Sequence, residues 1–292
     1  MIQLNRNIGG NMKNVILDTD IYNEIDDQFA LAYLLKSKNE LNINAITIAP
    51  FSKGEYTPSS SIDKSYETAL KIFELCNESN NQIIYKGSRT YFKDYNNQQI
   101  EAIDKIIQLA LKNKLTYILS IGCITNIAIA IKKEPKIKDR IKIIWLGTNF
   151  LFMKNDDFNF RQDVEAIKYV LKSKVDITII PTHPVSYSLM ISEQELKYRI
   201  KNKNKLCNYF CEIFTKDYGT TLTRRPIWDI SVIAYIINEY WFNTFKISTP
   251  KITKNNFFKL TKLRKKITFV QNLNSTKIYD DLFKKIGDNY GN

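Results

Sequence analysis

Short runs of β-branched and aliphatic residues alternate with longer stretches of helical spacing along about the first 180 residues, and this alternation limits the fold more than any other feature of the chain. Val15–Leu17, Ala45–Ala49, Ile83–Tyr85, Tyr117–Ile121, Ile141–Leu146 and Ile177–Ile180 read as buried strands. Gln28–Leu35, Ser65–Leu75, Ile100–Lys112, Asn126–Ile131 and Val164–Leu171 read as the helices between them. Strand and helix taking turns at this pitch make βαβ units and a parallel sheet. The expected fold is α/β, a single domain with a mostly parallel central sheet flanked by helices. Ligands of such folds lie outside the carboxyl ends of the strands.

Beyond Pro181 the pattern turns helical. Ser192-Glu193-Gln194-Glu195 has the form of a capping box, and Leu206–Phe214, Trp228–Ile237 and Tyr279–Ile286 continue the helical C-terminal portion. Ile267–Val270 alternates and is expected as an added edge strand. Residues 1–11 are polar and are expected to be a flexible extension, with Met12 standing just before the first strand and the domain covering 12–292. The polar start lacks the apolar stretch of a signal peptide. The longest apolar run, Tyr117 to Ile131, is too short for a bilayer and carries Ser120, Thr125 and Asn126. The expectation is a soluble, cytoplasmic protein with no membrane partner.

Composition narrows the chemistry. A hydrophobic share of 44% excludes wholesale disorder. Four cysteines without paired spacing exclude a disulfide scaffold, and Cys207 and Cys211, one helical turn apart, read as core. The one histidine, His183, excludes a multi-histidine zinc site. The net charge of +13 raises the question of nucleic acid. The basic residues form no helix-turn-helix or finger, and the aromatics form no single-strand stacking motif, so no nucleic-acid partner is expected.

Five acidic residues, Asp18, Asp20, Glu24, Asp26 and Asp27, fall within ten positions where the first strand ends and the first helix begins. Helix capping and the macrodipole account for Asp26 or Asp27. They leave Asp18 and Asp20 unexplained, because crowded carboxylates repel unless a cation neutralises them. A donor set of oxygens alone selects a hard cation, Ca²⁺ or Mg²⁺.

Asp18-Thr19-Asp20 followed by Asp26-Asp27-x-x-Ala30-Leu31 resembles the opening signature of the inosine–uridine-type nucleoside hydrolases. Three later segments agree in order. Ser120-Ile121-Gly122-Cys123-Ile124-Thr125-Asn126 resembles the family's glycine and Leu-Thr-Asn turn. Asp157-Phe158-Asn159 with Asp163-Val164-Glu165-Ala166 resembles its Glu-Phe-Asn stretch, and Trp228-Asp229 its late His-Asp pair. The resemblance runs from Val15 to about residue 286. It implies a Ca²⁺ ion held by Asp20, Asp27, the carbonyl of Ile121 and Asp229, with Asp18 supporting these ligands. It also implies that Asp20 is the general base and that Asp26, Asn159 and Asp157 hydrogen-bond ribose hydroxyls. The implied reaction is hydrolysis of a ribonucleoside to free base and ribose, by a protein that is often a homodimer or homotetramer. Such a reaction passes through an oxocarbenium-like sugar, which nearby negative charge stabilises.

Two departures stand out. The loop from Asp20 to Asp26 is two residues longer than the usual spacing, so Asn23 and Glu24 are candidates for added contacts. Trp228 occupies the place of the histidine that protonates the departing base in many members. Trp228 is read either as a core aromatic or as a surface for a base. His183, in Thr182-His183-Pro184 after the sixth strand, is read either as structural or as a ligand contact. Arg161, Tyr218 and the Arg224-Arg225 pair are rim candidates. Two further readings remain open at this point: a nucleoside- or ribose-binding protein with little catalysis, and a haloacid-dehalogenase-like phosphatase with Asp18 as nucleophile and Asp280-Asp281 as its late acidic pair.

Overall fold

The alternation of strands and helices closes into one eight-stranded sheet. The computed structural model describes residues 12–79, 81–218, 224–262 and 264–288, so the expected extension over residues 1–11 lies outside the described residues. The first half runs β1 (Lys13–Thr19), α1 (Asp26–Leu35), β2 (Leu41–Ile48), α2 (Pro58–Leu75), β3 (Ile84–Lys86), α3 (Glu101–Lys112), β4 (Thr116–Ser120), α4 (Thr125–Lys133) and β5 (Ile141–Leu146). There follow α5 (Phe158–Gln162), α6 (Val164–Ser173), β6 (Asp176–Ile180), β7 (Met190–Ile191), α7 (Glu193–Ile200), α8 (Lys205–Tyr218), β8 (Arg225–Pro226) and α9 (Ile230–Ile237). The chain ends with β9 (Phe242–Ser248), β10 (Lys251–Ile252), β11 (Phe258–Lys259), β12 (Lys266–Leu273) and α10 (Ser275–Gly287).

The strand order is β3-β2-β1-β4-β5-β6-β12-β9. Every neighbouring pair is parallel except β12 with β9. The fold is therefore the expected α/β class. The chain moves outward from β1 to β3 and then returns to lay β4 on the other side of β1, so the direction of winding switches between β1 and β4. A crevice opens at such a switch, outside the carboxyl ends of the strands.

The C-terminal portion is helical as expected, in α7 to α10, but it also returns two strands to the sheet. Ile267–Val270, expected at an edge, lies inside, with β12 flanked by β6 and β9. Four consecutive buried residues in β12 reflect cover on both faces. The edge belongs to β9, whose Asn243, Thr244 and Lys246 are exposed. These polar residues interrupt the apolar run that would have signalled a strand.

Successive residues of each strand feed opposite faces. Val15, Leu17, Ile46, Leu119 and Ile144 pack into a core with α1, α2, α8, α9 and α10. Ile16, Ala45, Ile118, Ile143 and Trp145 pack into a second core with α3, α4 and α6. Phe29 of α1 stacks on Phe210 of α8 with ring centroids 4.0 Å apart, which seats the first turn of α1. Cys207 and Cys211 are buried in the first core.

Candidate active site

β1 delivers Asp18, and Asp20 follows one residue past its end. The turn continues through Tyr22 to Ile25 into α1, whose first two residues are Asp26 and Asp27. Capping does not account for these two: the N-cap position is Ile25, and no side chain caps the helix. Asp229 arrives from the start of α9, which packs beside α1. All five aspartates are buried, none more than 3% exposed.

Asp26, Asp27 and Asp229 form a group whose carboxylate oxygens lie within 4.8 Å of one another. Asp20 stands outside that group, but it is close enough that the charge of Asp27 raises its pKa. Asp27 accepts a 2.6 Å hydrogen bond from the Thr19 hydroxyl. Asp18 accepts from the Thr47 hydroxyl at 2.6 Å and from Asn126 Nδ2 at 2.9 Å. Both carboxylate oxygens of Asp20, both of Asp26 and Oδ2 of Asp18 are buried without a hydrogen-bond partner. Orphaned buried carboxylate oxygens are costly.

The electrostatics follow from this crowding. Burial, eased by the Asn126 and Thr47 hydrogen bonds, pushes Asp18 up to about 6. Burial, eased by Thr19, pushes Asp27 up to about 7. Asp20, Asp26 and Asp229 are driven well above the ordinary carboxylate range by burial first and then by neighbouring charge: Asp27 and then Glu24 act on Asp20, Glu24 and then Asp27 on Asp26, and Asp26, Asp27 and Asp20 on Asp229. Such a cluster either retains protons or takes up a cation. The donors are all oxygen and several are unpartnered, so the residues present fit a hard divalent ion.

Two turns complete the wall. In the β4–α4 turn, a Cβ added to Gly122 would lie 2.9 Å from Asp20 Oδ1, so only glycine lets this turn approach the carboxylate. After β5, Asp157 caps α5 through the Phe160 N–H at 3.1 Å, and burial lifts it to about 6. Asn159 Nδ2 donates to the Ile121 carbonyl at 2.7 Å and to the Leu146 carbonyl at 3.0 Å. With both amide protons committed, Asn159 meets a ligand with its Oδ1, an acceptor suited to a hydroxyl.

Most of the residues expected from sequence are brought together, while Asp18 and Asp20 lie behind the cavity wall and are not among its lining residues. Asp26, Asp27, Ile121, Asp157, Asn159, Trp228 and Asp229 line one small cavity of about 20 Å³, together with Asn23, Glu24, Phe158 and Thr182. Trp228 packs on the first core and also lines the cavity. His183 is half-buried and not among the lining residues. Its ring meets Tyr187 at 4.6 Å and Trp228 edge-on at 5.5 Å, so it reaches the cavity through Trp228. Arg161 donates to the Asp156 carbonyl and Arg224 pairs with Glu195 at 3.1 Å; neither lines the cavity, and nor does Arg225. The Tyr218 side chain lies outside the described residues. Sequence reasoning missed Thr182, Thr19 and Thr47. Thr47 carried a signal, a lone hydroxyl inside the apolar run of β2.

The later motifs bind the site together. Thr125 donates to Asp163 at 2.6 Å, and Asp163 caps α6 at the Ala166 N–H. Asn126, in the first turn of α4, holds Asp18 at the end of the interior strand β1.

A family model described as inosine-uridine preferring nucleoside hydrolase matches residues 15–279. The chain belongs to this family. Nucleoside hydrolases act on N-glycosyl compounds. The chain is 23% identical over 214 residues to a Dictyostelium discoideum protein described as "Probable ribonucleoside hydrolase", a match covering 65% of this chain and 62% of that protein. It thus spans less than two thirds of that relative. Its fold is that of a plant nucleoside hydrolase, with a TM-score of 0.76, 18% identity and coverage of 95% and 99% of the two chains. It is also that of a purine-preferring ribonucleoside hydrolase from Gardnerella vaginalis, with a TM-score of 0.76, 20% identity and coverage of 94% and 98%. The phosphatase reading finds no support: Asp280 and Asp281 lie within α10, and Asp281 pairs with Lys285 at 2.9 Å.

Proposed function

We propose that this nucleoside hydrolase family member is a Ca²⁺-dependent N-ribohydrolase that converts a ribonucleoside and water to free base and ribose. The observation that carries the reading is the set of buried, partly orphaned carboxylates at the switch between β1 and β4, in a chain that belongs to this family. Asp20, Asp27, Asp229 and the Ile121 carbonyl would hold the ion, and Asp26 lies near enough to join them. When bound, the ion supplies positive charge that neutralises the cluster and makes a nearby water more acidic.

The chain's own residues do the rest. Asp20 takes the proton of the attacking water as its oxygen approaches C1′. Asp26, Asp157 and the Asn159 Oδ1 hold ribose hydroxyls and orient the sugar. As the N-glycosidic bond breaks, the sugar gains positive charge, and the surrounding carboxylates lower its energy. Asp18, held by Thr47 and Asn126, keeps β1's end rigid behind Asp20.

A second reading has one observation in its favour: no histidine lines the cavity, so a protein that binds nucleosides with little turnover has the same wall. Screening purified protein against common nucleosides and p-nitrophenyl riboside, with and without chelator, separates the two. The ribohydrolase reading expects turnover that chelator abolishes; binding without release of base or phenolate would leave the second reading. Cytoplasmic residence and assembly as a homodimer or homotetramer belong to the same proposal, and light scattering checks the assembly. Among the described residues no helix is long and apolar enough to cross a membrane.

A further inference from the structure

The cavity of about 20 Å³ has no room for a whole nucleoside. A groove of about 770 Å³ adjoins it and shares Asn23 and Glu24 with it. Its size is that of a small-molecule site. Phe51, Tyr56 and Tyr209 give it aromatic walls, and Lys53, Lys71 and Lys216 give it positive charge. For a sugar held by Asp26 and Asn159, the groove beyond Asn23 and Glu24 is a space of sufficient size for the leaving half, and it is supplied with lysine.

Lys53 sits on the boundary. Its ammonium donates to the Asn23 carbonyl at 3.1 Å and to Glu24 Oε1 at 3.2 Å, and it lies 5.8 Å from the centre of the Phe158 ring. All three of these residues line the inner cavity. An ammonium has three N–H donors, and two are spent here, which leaves one for a ligand. The longer Asp20–Asp26 loop is what brings Asn23 and Glu24 to this lysine. Tyr22 steadies the loop through its N–H to Ser65 at 3.3 Å and its hydroxyl contact with Tyr56 at 3.0 Å.

We infer that Lys53 is the leaving-group residue of this enzyme, an inference that rests on the ribohydrolase reading. The C1′–N bond breaks with its electron pair passing to the base. The water oxygen bonds to C1′, and its proton goes to Asp20. The third N–H of Lys53 hydrogen-bonds the negative charge on the departing base, which takes its proton from solvent on release. This supplies the stabilisation that Trp228, standing where a histidine is usual, cannot. A preformed donor aimed at developing charge is worth about 10²–10³-fold in rate.

The test compares kcat/KM for inosine, uridine and p-nitrophenyl riboside in wild type, Lys53→Ala and Lys53→Arg, with melting curves confirming that each variant folds. The nitrophenolate is a stable anion and needs little help. The ratio of natural to aryl kcat/KM should therefore fall about 100-fold or more in Lys53→Ala and should largely return in Lys53→Arg. An unchanged ratio, whether activity falls on all three substrates or on none, would reduce Lys53 to a tether for the Asn23–Glu24 loop and overturn the inference. Wild type that cleaves the aryl riboside alone would overturn it while leaving the ribohydrolase reading intact. Failure to cleave any riboside would overturn both.

Discussion

Adding Ca²⁺ to chelator-treated protein should raise its melting temperature, and acid should erase most of the gain. At pH 8 the carboxylates of Asp18, at about 6, and Asp27, at about 7, are ionised inside the fold. A ligand at 100 times its Kd then adds about 2.7 kcal/mol. Unfolding 292 residues carries an entropy of roughly 0.6 kcal/mol/K, so the shift is about 4 °C. At pH 5.5 the cation must displace the proton on Asp27, about 1.5 units below its pKa, at a cost of about 2 kcal/mol. The same concentration is then only about 3 times Kd, and the shift falls to about 1 °C. The chelated protein carries the opposite dependence. These folded values lie above the ordinary 3.8, so their stability contribution is complete below about pH 4 and is lost as pH rises through 6 and 7. Melting should therefore be lower at pH 8 than at pH 5.5 in chelator, with Asp18 alone accounting for a change of about 0.8 kcal/mol. Scanning fluorimetry at both pH values, with and without the ion, measures all four quantities. Equal shifts at the two pH values, or none, would refute the carboxylate cluster as the binding site.

Three other outcomes are expected. Asp20→Asn should lower kcat by several orders of magnitude, yet raise the melting temperature in chelator, because a buried orphan charge is removed; activity assays and melting on one preparation check both. Asn159→Ala should lower kcat/KM by about 2–4 kcal/mol equivalent through lost contacts to the flattening sugar, with a fall in melting temperature from the freed Ile121 and Leu146 carbonyls. Phe210→Ala should cost about 3–5 kcal/mol in denaturant unfolding by emptying the core behind α1, and an unchanged midpoint would show that the Phe29 stack does not seat that helix.

Several things were legible in the chain itself. The alternating runs named the α/β class because side-chain periodicity is a local property of each segment. Asp18-Thr19-Asp20 and Asp26-Asp27 declared themselves by proximity, since like charges six to nine positions apart around one turn are hard to explain without a ligand. Asn159 and Asp229 were found only through resemblance, because nothing in their own neighbourhoods marks them as polar groups of a site.

Tertiary structure decided the rest. Only the packing of α9 beside α1 brings Asp229 to Asp26 and Asp27, across some 200 residues of chain. β9 stayed hidden because an edge strand needs only one apolar face, and β12 was misplaced because its interior position depends on a neighbour that is itself hard to see. Thr19, Thr47 and Asn126 acquire their meaning from the carboxylates they hold, and a hydroxyl's partner is a matter of distance in space. Lys53 was invisible for the same reason: its ammonium gains a role only where the longer loop folds back to meet it. Sequence determines which groups repel, hydrogen-bond or prefer burial, but their energies depend on separations that only the folded chain sets.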